Sequence, residues 1–455
     1  MKKYSEIPGP KLNLIIKGSD ALQNTPFEYL TELNELYPDI ARLKAVHLDI
    51  VQITNPDYIR QVLQTDQKNY TKSVQYEQLK LILGEGLVTS EGDMWKKQRK
   101  LIQPAFHRQQ IASFFDIMVD CTNEMLNEWK VAPNSTIDLS EHMMKITLQI
   151  IGKTMLSKDV KSTSTEVDKA LTFIIRAVNR RTMKALNLPM WLPIPKHVEF
   201  EKNVKVLDKI IYDIINERKI HGHGNGDLLD MLMQSKYEDT GEPMPDKLLK
   251  DEVMTIFLAG HETTANALSW TMYLLSQNPE CIKTIRAEVD RVTQGEEITL
   301  AHLQQLEYTR ACLSEGMRIY PPVWLIARKA MVDTSLGEYE IPAGTNVFIT
   351  PFLVHMREDL WDKPEKFWPE RWFTEEVKKM DKFAYFPFAA GPRMCIGNTF
   401  ALMESELILA KMIQAFDFEY LSNVAPEKDP TVTLRVKNEI PMKLTPIKTQ
   451  IAAKA

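Results

Sequence analysis

The sequence predicts a mainly α protein with small β-sheets, and three observations carry that class. Helical spacing of apolar residues dominates a long central stretch, from about Trp95 to Asn278. Strand-like stretches are short and sit apart, in Ala41–Ile53, Val323–Val354 and Thr431–Leu444. No linker, internal repeat or low-complexity tract divides the chain. Residues 1–455 therefore read as one domain, although length alone suggests roughly three.

The elements follow in order. Apolar and polar residues alternate loosely through Ala41–Ile53, as in a small sheet, and Asn55-Pro56 starts a helix. The central helices are broken twice. Asn187–His197 carries three prolines around Met190, Trp191 and Leu192, and His221–Asp227 is a glycine-rich loop. An apolar helix runs from about Asp251 to Gln277. Two further helical segments follow Pro279. Val323–Val354 is strand-rich around the turn Ile341-Pro-Ala-Gly344. An amphipathic helix (Ala401, Leu402, Leu407, Ile408, Met412) follows Cys395, and a hairpin pairs Thr431–Val436 with Ile440–Leu444 around Lys437-Asn-Glu439.

Composition excludes several classes. A net charge of -5 without a basic block gives no case for nucleic acid. Four scattered cysteines (Cys121, Cys281, Cys312, Cys395) are not a disulfide framework and fit a reducing cytosol. The run Leu12–Ile16 is too short for a signal peptide and follows a Pro-Gly break. The most apolar stretch, Val253–Leu275, holds His261, Glu262, Thr263, Thr264 and Asn266, which are costly in lipid. The expectation is a cytoplasmic protein without a transmembrane anchor. His221 and His223 lie in a flexible loop without nearby cysteines, which makes a poor zinc site.

Chemistry concentrates at Phe388-Ala-Ala-Gly-Pro-Arg-Met-Cys-Ile-Gly397. A cysteine beside a helix N-terminus has its thiolate favoured by the dipole and free N–H groups. Gly391 and Gly397 let the backbone turn tightly. A buried cysteine in a turn is the commoner fate of that residue, and the cysteine on its own does not separate the two readings. The full pattern Phe-x-x-Gly-x-Arg-x-Cys-x-Gly resembles the haem-binding loop of the cytochrome P-450 family, with every signature position filled. The resemblance implies a triangular helical prism with a long central helix over the haem. It makes Cys395 the thiolate ligand of haem b (iron protoporphyrin IX), which favours O–O cleavage. It also sets Arg393 near a propionate and lets Phe388 shield the sulfur.

Other segments fit the same family. Phe257-Leu-Ala-Gly-His-Glu-Thr-Thr-Ala265 matches its acid-Thr helix. Thr263 and Thr264 either bond back to carbonyls one turn earlier, or Gly260 opens a kink and Glu262 and Thr263 relay protons as general acids. Glu315-Gly-Met-Arg318 and Pro369-Glu-Arg-Trp372 (tryptophan in place of the usual phenylalanine) imply a buried structural triad of Glu315, Arg318 and Arg371. Trp95-Lys-Lys-Gln-Arg99 matches the family's Trp-x-x-x-Arg helix, whose i,i+4 face and Arg328 imply further propionate contacts. An amphipathic face explains Trp95 and Arg99 equally well.

The expected activity is that of a haem-thiolate monooxygenase. It would use dioxygen, and two electrons from a separate ferredoxin- or flavodoxin-type donor, to hydroxylate or epoxidise a hydrophobic small molecule. Fatty acids, terpenoids, carotenoids and steroids are not separated. The alternatives are a peroxygenase or isomerase, which would not need the Glu262-Thr263 pair, and a non-catalytic haem sensor, which would not turn over with a redox partner. Lys96, Lys97, Lys100 and Arg108 form either a solvated face or a steering patch for an acidic donor. Pocket walls are expected from Tyr76–Leu83, Leu186–Leu192, Phe257, Ala259, Val323–Ile326 and Val432–Leu434, with Trp191 and Trp324 the largest. The Trp191 loop is either a structural turn or a membrane contact, and the protein is expected to be a monomer.

Overall fold

A computed structural model describes residues 1–447, apart from 11–20, 23, 46–47, 132–134, 162–163, 184–186, 223–225 and 238. The run Leu12–Ile16, Leu186 and His223 thus lie outside the described residues. Among these residues the principal helices are α1 (Pro26–Leu36), α2 (Pro56–Arg60), α3 (Val74–Leu83), α4 (Gly92–Ile102), α5 (Phe115–Val131), α6 (Leu139–Leu156) and α7 (Ser164–Met183). They continue as α8 (Pro195–His221), α9 (Leu228–Gln234), α10 (Asp246–Ser276), α11 (Pro279–Thr293), α12 (Glu307–Ile319) and α13 (Asn398–Ala415). Asn55 caps α2 by accepting from Asp57 N at 2.9 Å. Both expected breaks are present: α7 ends before the proline-rich stretch, and α8 ends at the glycine loop.

The centre of the molecule is α10, buried along nearly its whole length. A helix apolar on all sides must be enclosed by other elements, and α6, α8, α12 and α13 pack around it. The helix runs unbroken through Gly260. A Cβ there would lie 2.6 Å from Ile151 Cδ1, so glycine allows α6 to approach closely.

The largest sheet runs β1-β2-β8-β5-β3, from β1 (Ile40–Ala45), β2 (Leu48–Ile53), β3 (Tyr70–Lys72), β5 (Ile326–Ala330) and β8 (Asn346–Ile349). Its register sets Lys72 opposite Arg328. A second sheet joins β4 (Thr136–Asp138), β12 (Pro441–Pro446) and β9 (Phe416–Tyr420). The remaining pairs are β6 (Thr334–Leu336) with β7 (Tyr339–Ile341), and β10 (Lys428–Pro430) with β11 (Leu434–Val436).

Four sequence expectations are corrected. The C-terminal hairpin does not form: β11 pairs with β10, whereas β12 pairs with β4 and β9. The reason is tertiary, since β12 gains Phe416 and Phe418 as cross-strand neighbours, and Asp138 Oδ1 accepts from Ile440 N at 3.0 Å. Helix α13 is not amphipathic but buried almost all round, Glu404 and Glu406 included. Trp324 is no pocket wall: it is buried against Phe27 and Phe352, and its Nε1 donates to Thr431 O at 2.9 Å. Trp191 is 77% exposed, so it faces outward instead of walling an interior pocket.

Candidate functional site

The cysteine loop is folded back on itself. Cys395 N donates to Phe388 O at 3.0 Å, and Met394 N to Gly391 O at 3.1 Å. The turn needs positive φ at Ala389 (58°) and Gly391 (70°). A Cβ at Gly391 would lie 1.9 Å from Leu63 O, so only glycine fits there. A left-handed alanine is costly for an L-residue and persists where surrounding structure imposes it. Cys395 then sits just ahead of α13. It is exposed, unlike buried Cys121 and Cys312. Packing around the sulfur raises its thiol pKa, opposed by the Gly397 N–H and the Arg99 cation. Arg99 itself donates to Met394 O at 3.0 Å, tying α4 to this loop.

Cations gather beside the loop. Arg393 stacks 3.8 Å over the Trp95 ring, bonds Ser90 O at 3.1 Å and pairs with Glu91 at 2.5 Å. Burial lowers its pKa to about 10. Arg328 is buried, with one nitrogen on Ala327 O at 3.0 Å. Lys72, which sequence reasoning missed, completes the cluster. Its Nζ bonds Leu87 O and Ser90 O at 3.3 and 2.8 Å, with Glu91 at 3.9 Å. Burial, then Arg393 and Arg328, lower its pKa to about 7. Nothing local in Tyr70-Thr71-Lys72 marks it, because only pairing of β3 with β5 brings it to Arg328.

On α10, Ala259 and Thr263 are accessible while their helical neighbours are largely buried, and their i,i+4 spacing puts them on one face. Thr263 Oγ1 donates to Ala259 O at 2.7 Å and Thr264 Oγ1 to Gly260 O at 3.2 Å, so both back-bonds occur. Glu262 leans away toward the β11 segment: Thr433 Oγ1 donates to its Oε1 at 2.5 Å, and Arg435 Nε lies at 3.6 Å. Two buried acids escaped the sequence reading. Glu404 on α13 is fully buried, and burial, opposed only in part by the nearby Thr264 hydroxyl, holds its pKa well above the usual range. Glu252 accepts from Leu87 N at 2.9 Å, and burial lifts its pKa to about 8. With Asp251, which accepts from Glu85 N at 3.0 Å, it pins the α3–α4 connection to α10.

Below the loop, the expected triad is present. Arg318 Nε and Nη2 donate to Glu315 at 3.0 and 2.8 Å, and Arg371 Nε at 3.0 Å. Trp372 has its own part, donating Nε1 to Glu315 Oε2 at 3.1 Å. Arg318 also holds His355 O at 2.8 Å, and His355 Nε2 accepts from Phe386 N at 3.1 Å. The triad thereby braces the segment leading into the cysteine loop. Lys96 and Lys97 are exposed but paired, with Asp93 at 2.8 Å and Asp239 at 2.5 Å.

The donor chemistry fits a haem. The loop offers an accessible cysteine, and among the described residues Lys72 and Arg393 share Glu91 as acidic partner while Arg328 bonds the Ala327 carbonyl. A cation excess suits a macrocycle bearing carboxylates, and a thiolate suits its iron. The fold and site thus belong to the haem-thiolate class. The family model described as Cytochrome P450 matches residues 8–445, and the chain belongs to that family. It is a cytochrome P450 monooxygenase. Cyclooctat-9-en-7-ol 5-monooxygenase of Streptomyces melanosporofaciens is 32% identical, covering 86% of this chain and 84% of that one. Cyclooctatin synthase of the same organism is 32% identical, covering 85% and 84%. Protein LUTEIN DEFICIENT 5, chloroplastic, of Arabidopsis thaliana is 29% identical, covering 90% and 73%. No described helix is long and apolar enough to cross a membrane.

Proposed function

We propose that the protein uses haem b, held by the Cys395 thiolate, to insert one atom of dioxygen into a terpenoid-like or related lipophilic substrate. The electrons would come from a separate ferredoxin- or flavodoxin-type protein. The observation that carries the haem site is the juxtaposition of accessible Cys395 with the Lys72, Arg328 and Arg393 cluster. Terpenoid chemistry is favoured by the likeness to Cyclooctat-9-en-7-ol 5-monooxygenase of Streptomyces melanosporofaciens, 32% identical to this chain.

Bound there, the haem supplies oxygen activation, which consumes two electrons and two protons and releases one water. The chain supplies the rest. Lys72, Arg328 and Arg393 balance the haem carboxylates, with Trp95 packed beneath Arg393. Arg99, on Met394 O, holds the loop and adds a cation near the sulfur. Phe388, half-buried and bonded through its carbonyl to Cys395 N, limits water at the thiolate. Thr263 rests with its proton on Ala259 O; acting as a relay it would take a proton from Glu262 while giving up its own on the pocket side.

Two measurements test the reading. Cys395→Ala should abolish the thiolate-type spectrum of the reduced carbon monoxide complex; an unchanged spectrum would refute the ligand. Terpenoids in a lipophilic panel should displace iron-bound water, seen as a Soret shift. A response confined to another class would refute the substrate assignment.

A further inference from the structure

One carboxylate stands among the cations that would meet the haem. Glu91 lies at the start of α4, but its side chain does not cap that helix. It reaches across to two other segments instead. Its Oε1 accepts from Lys72 N of β3 at 3.1 Å, and its Oε2 from Arg393 Nη2 of the cysteine loop at 2.5 Å. The preceding carbonyl, Ser90 O, accepts from Lys72 Nζ at 2.8 Å and from Arg393 Nη1 at 3.1 Å. One corner of the chain therefore grips both cations. Trp95, a helical turn further on, packs 3.8 Å beneath Arg393.

These bonds use only part of each cation. An ammonium has three N–H donors and a guanidinium five. Lys72 Nζ uses two, on Leu87 O and Ser90 O, and Arg393 uses two, on Ser90 O and Glu91. Their other donors are unused among the described residues, as are most of those on Arg328, which bonds Ala327 O. The local charge is set at the same corner. Glu252 also lies near Lys72, but burial lifts its pKa to about 8, so it adds no charge at neutrality. Lys80 is answered by Glu77 and Glu85 at 3.6 and 3.3 Å. Three cations (Lys72, Arg328, Arg393) and one carboxylate (Glu91) leave a net charge of +2, which the two carboxylates of a haem cancel.

We propose that Glu91 is a positioning residue for the haem, holding Lys72 and Arg393 in place and lowering the reduction potential of the bound iron by trimming the charge around its carboxylates. This rests on Cys395 and the three cations holding the haem. Without Glu91 the cations it grips would face each other with no carboxylate between them, and the site would carry +3 against two haem carboxylates. Surplus positive charge favours the reduced over the oxidised iron, so it raises the potential. That potential governs acceptance of the first electron from the redox partner. Glu91 exerts this control through Lys72 and Arg393, with its carboxylate fixed by the Lys72 backbone N–H as well as by the guanidinium.

The test is a redox titration of the haem-loaded enzyme, run beside haem transfer to an apo-globin acceptor. Glu91→Gln removes the charge and keeps an oxygen to accept from Lys72 N. At a fixed solution potential its ratio of ferrous to ferric haem should rise about tenfold, the scale of one unit charge acting through partly buried protein. For one electron that is about 59 mV. Glu91→Asp keeps the charge on a shorter arm, so its potential should stay close to wild type while haem is lost faster. In Glu91→Gln combined with Lys72→Met the net charge is again +2, and the potential should return most of the way. These two variants carry the test if Glu91→Gln alone fails to fold. An unmoved potential in Glu91→Gln would overturn the proposal. So would an equal rise in Glu91→Asp or in the double variant, because the corner would then act by shape and not by charge. A wild-type protein without a thiolate-type carbon monoxide spectrum would instead refute the haem site itself.

Discussion

Replacing Lys72 by methionine is the sharpest probe of the haem-binding reading. The side chain is 9% exposed and its pKa falls from 10.5 to about 7. That drop of about 3.5 units corresponds to ~5 kcal/mol set against the charged form, by order of magnitude. A haem carboxylate beside the ammonium would restore the charge, leaving a charge-assisted bond worth roughly 1.5–3 kcal/mol. Loss of that bond should weaken haem binding by about 10–100-fold. The pH dependence follows from the same cause. Without an anion the lysine loses its proton near neutrality; with one, its pKa rises, so binding takes up a proton above that point. Haem affinity should be full below about pH 7 and decline as pH climbs toward the raised value. Haem transfer to an apo-globin acceptor, timed at acid and alkaline pH, measures this. Equal loss rates for wild type and Lys72→Met, or an unaltered pH slope in the variant, would refute the reasoning.

Three further outcomes are expected. Glu315→Gln leaves the buried Arg318 and Arg371 without their counter-charge, and should cost about 3–5 kcal/mol, read as an earlier urea midpoint. Thr263→Ala should divert reducing equivalents to peroxide while substrate still binds, measured as product per NAD(P)H. Glu252 holds its proton up to about pH 8 in the fold but titrates near 4.5 when unfolded, so its stabilising effect is full at low pH and is lost as pH rises between those values. Glu252→Gln keeps an acceptor for Leu87 N, and its melting temperature should fall less steeply across that window.

How much was legible depended on whether a residue's partner was close in sequence. The cysteine loop, the acid-Thr helix and the Glu315–Arg318 turn are local patterns, and motif spacing exposed them. Arg371 was found because a second local motif named it. Lys72 was not found, because a lysine on a three-residue strand looks like any surface lysine until β3 pairs with β5. Glu404 was hidden for a related reason. The periodicity of α13 gave it an exposed face, whereas neighbouring helices bury that face too.

The sequence by itself therefore determined the mainly α class, the loop that presents Cys395 and the helix that carries Glu262 and Thr263. Tertiary structure decided where those side chains face. It turned Glu262 toward Thr433 and Arg435, put Trp324 in the core, and sent β12 to β4 and β9 instead of into a hairpin. The physical reason is that turns, caps and helical spacing are set by neighbours along the chain. Strand partners, buried charges and the cation cluster are set by which distant surfaces exclude water together.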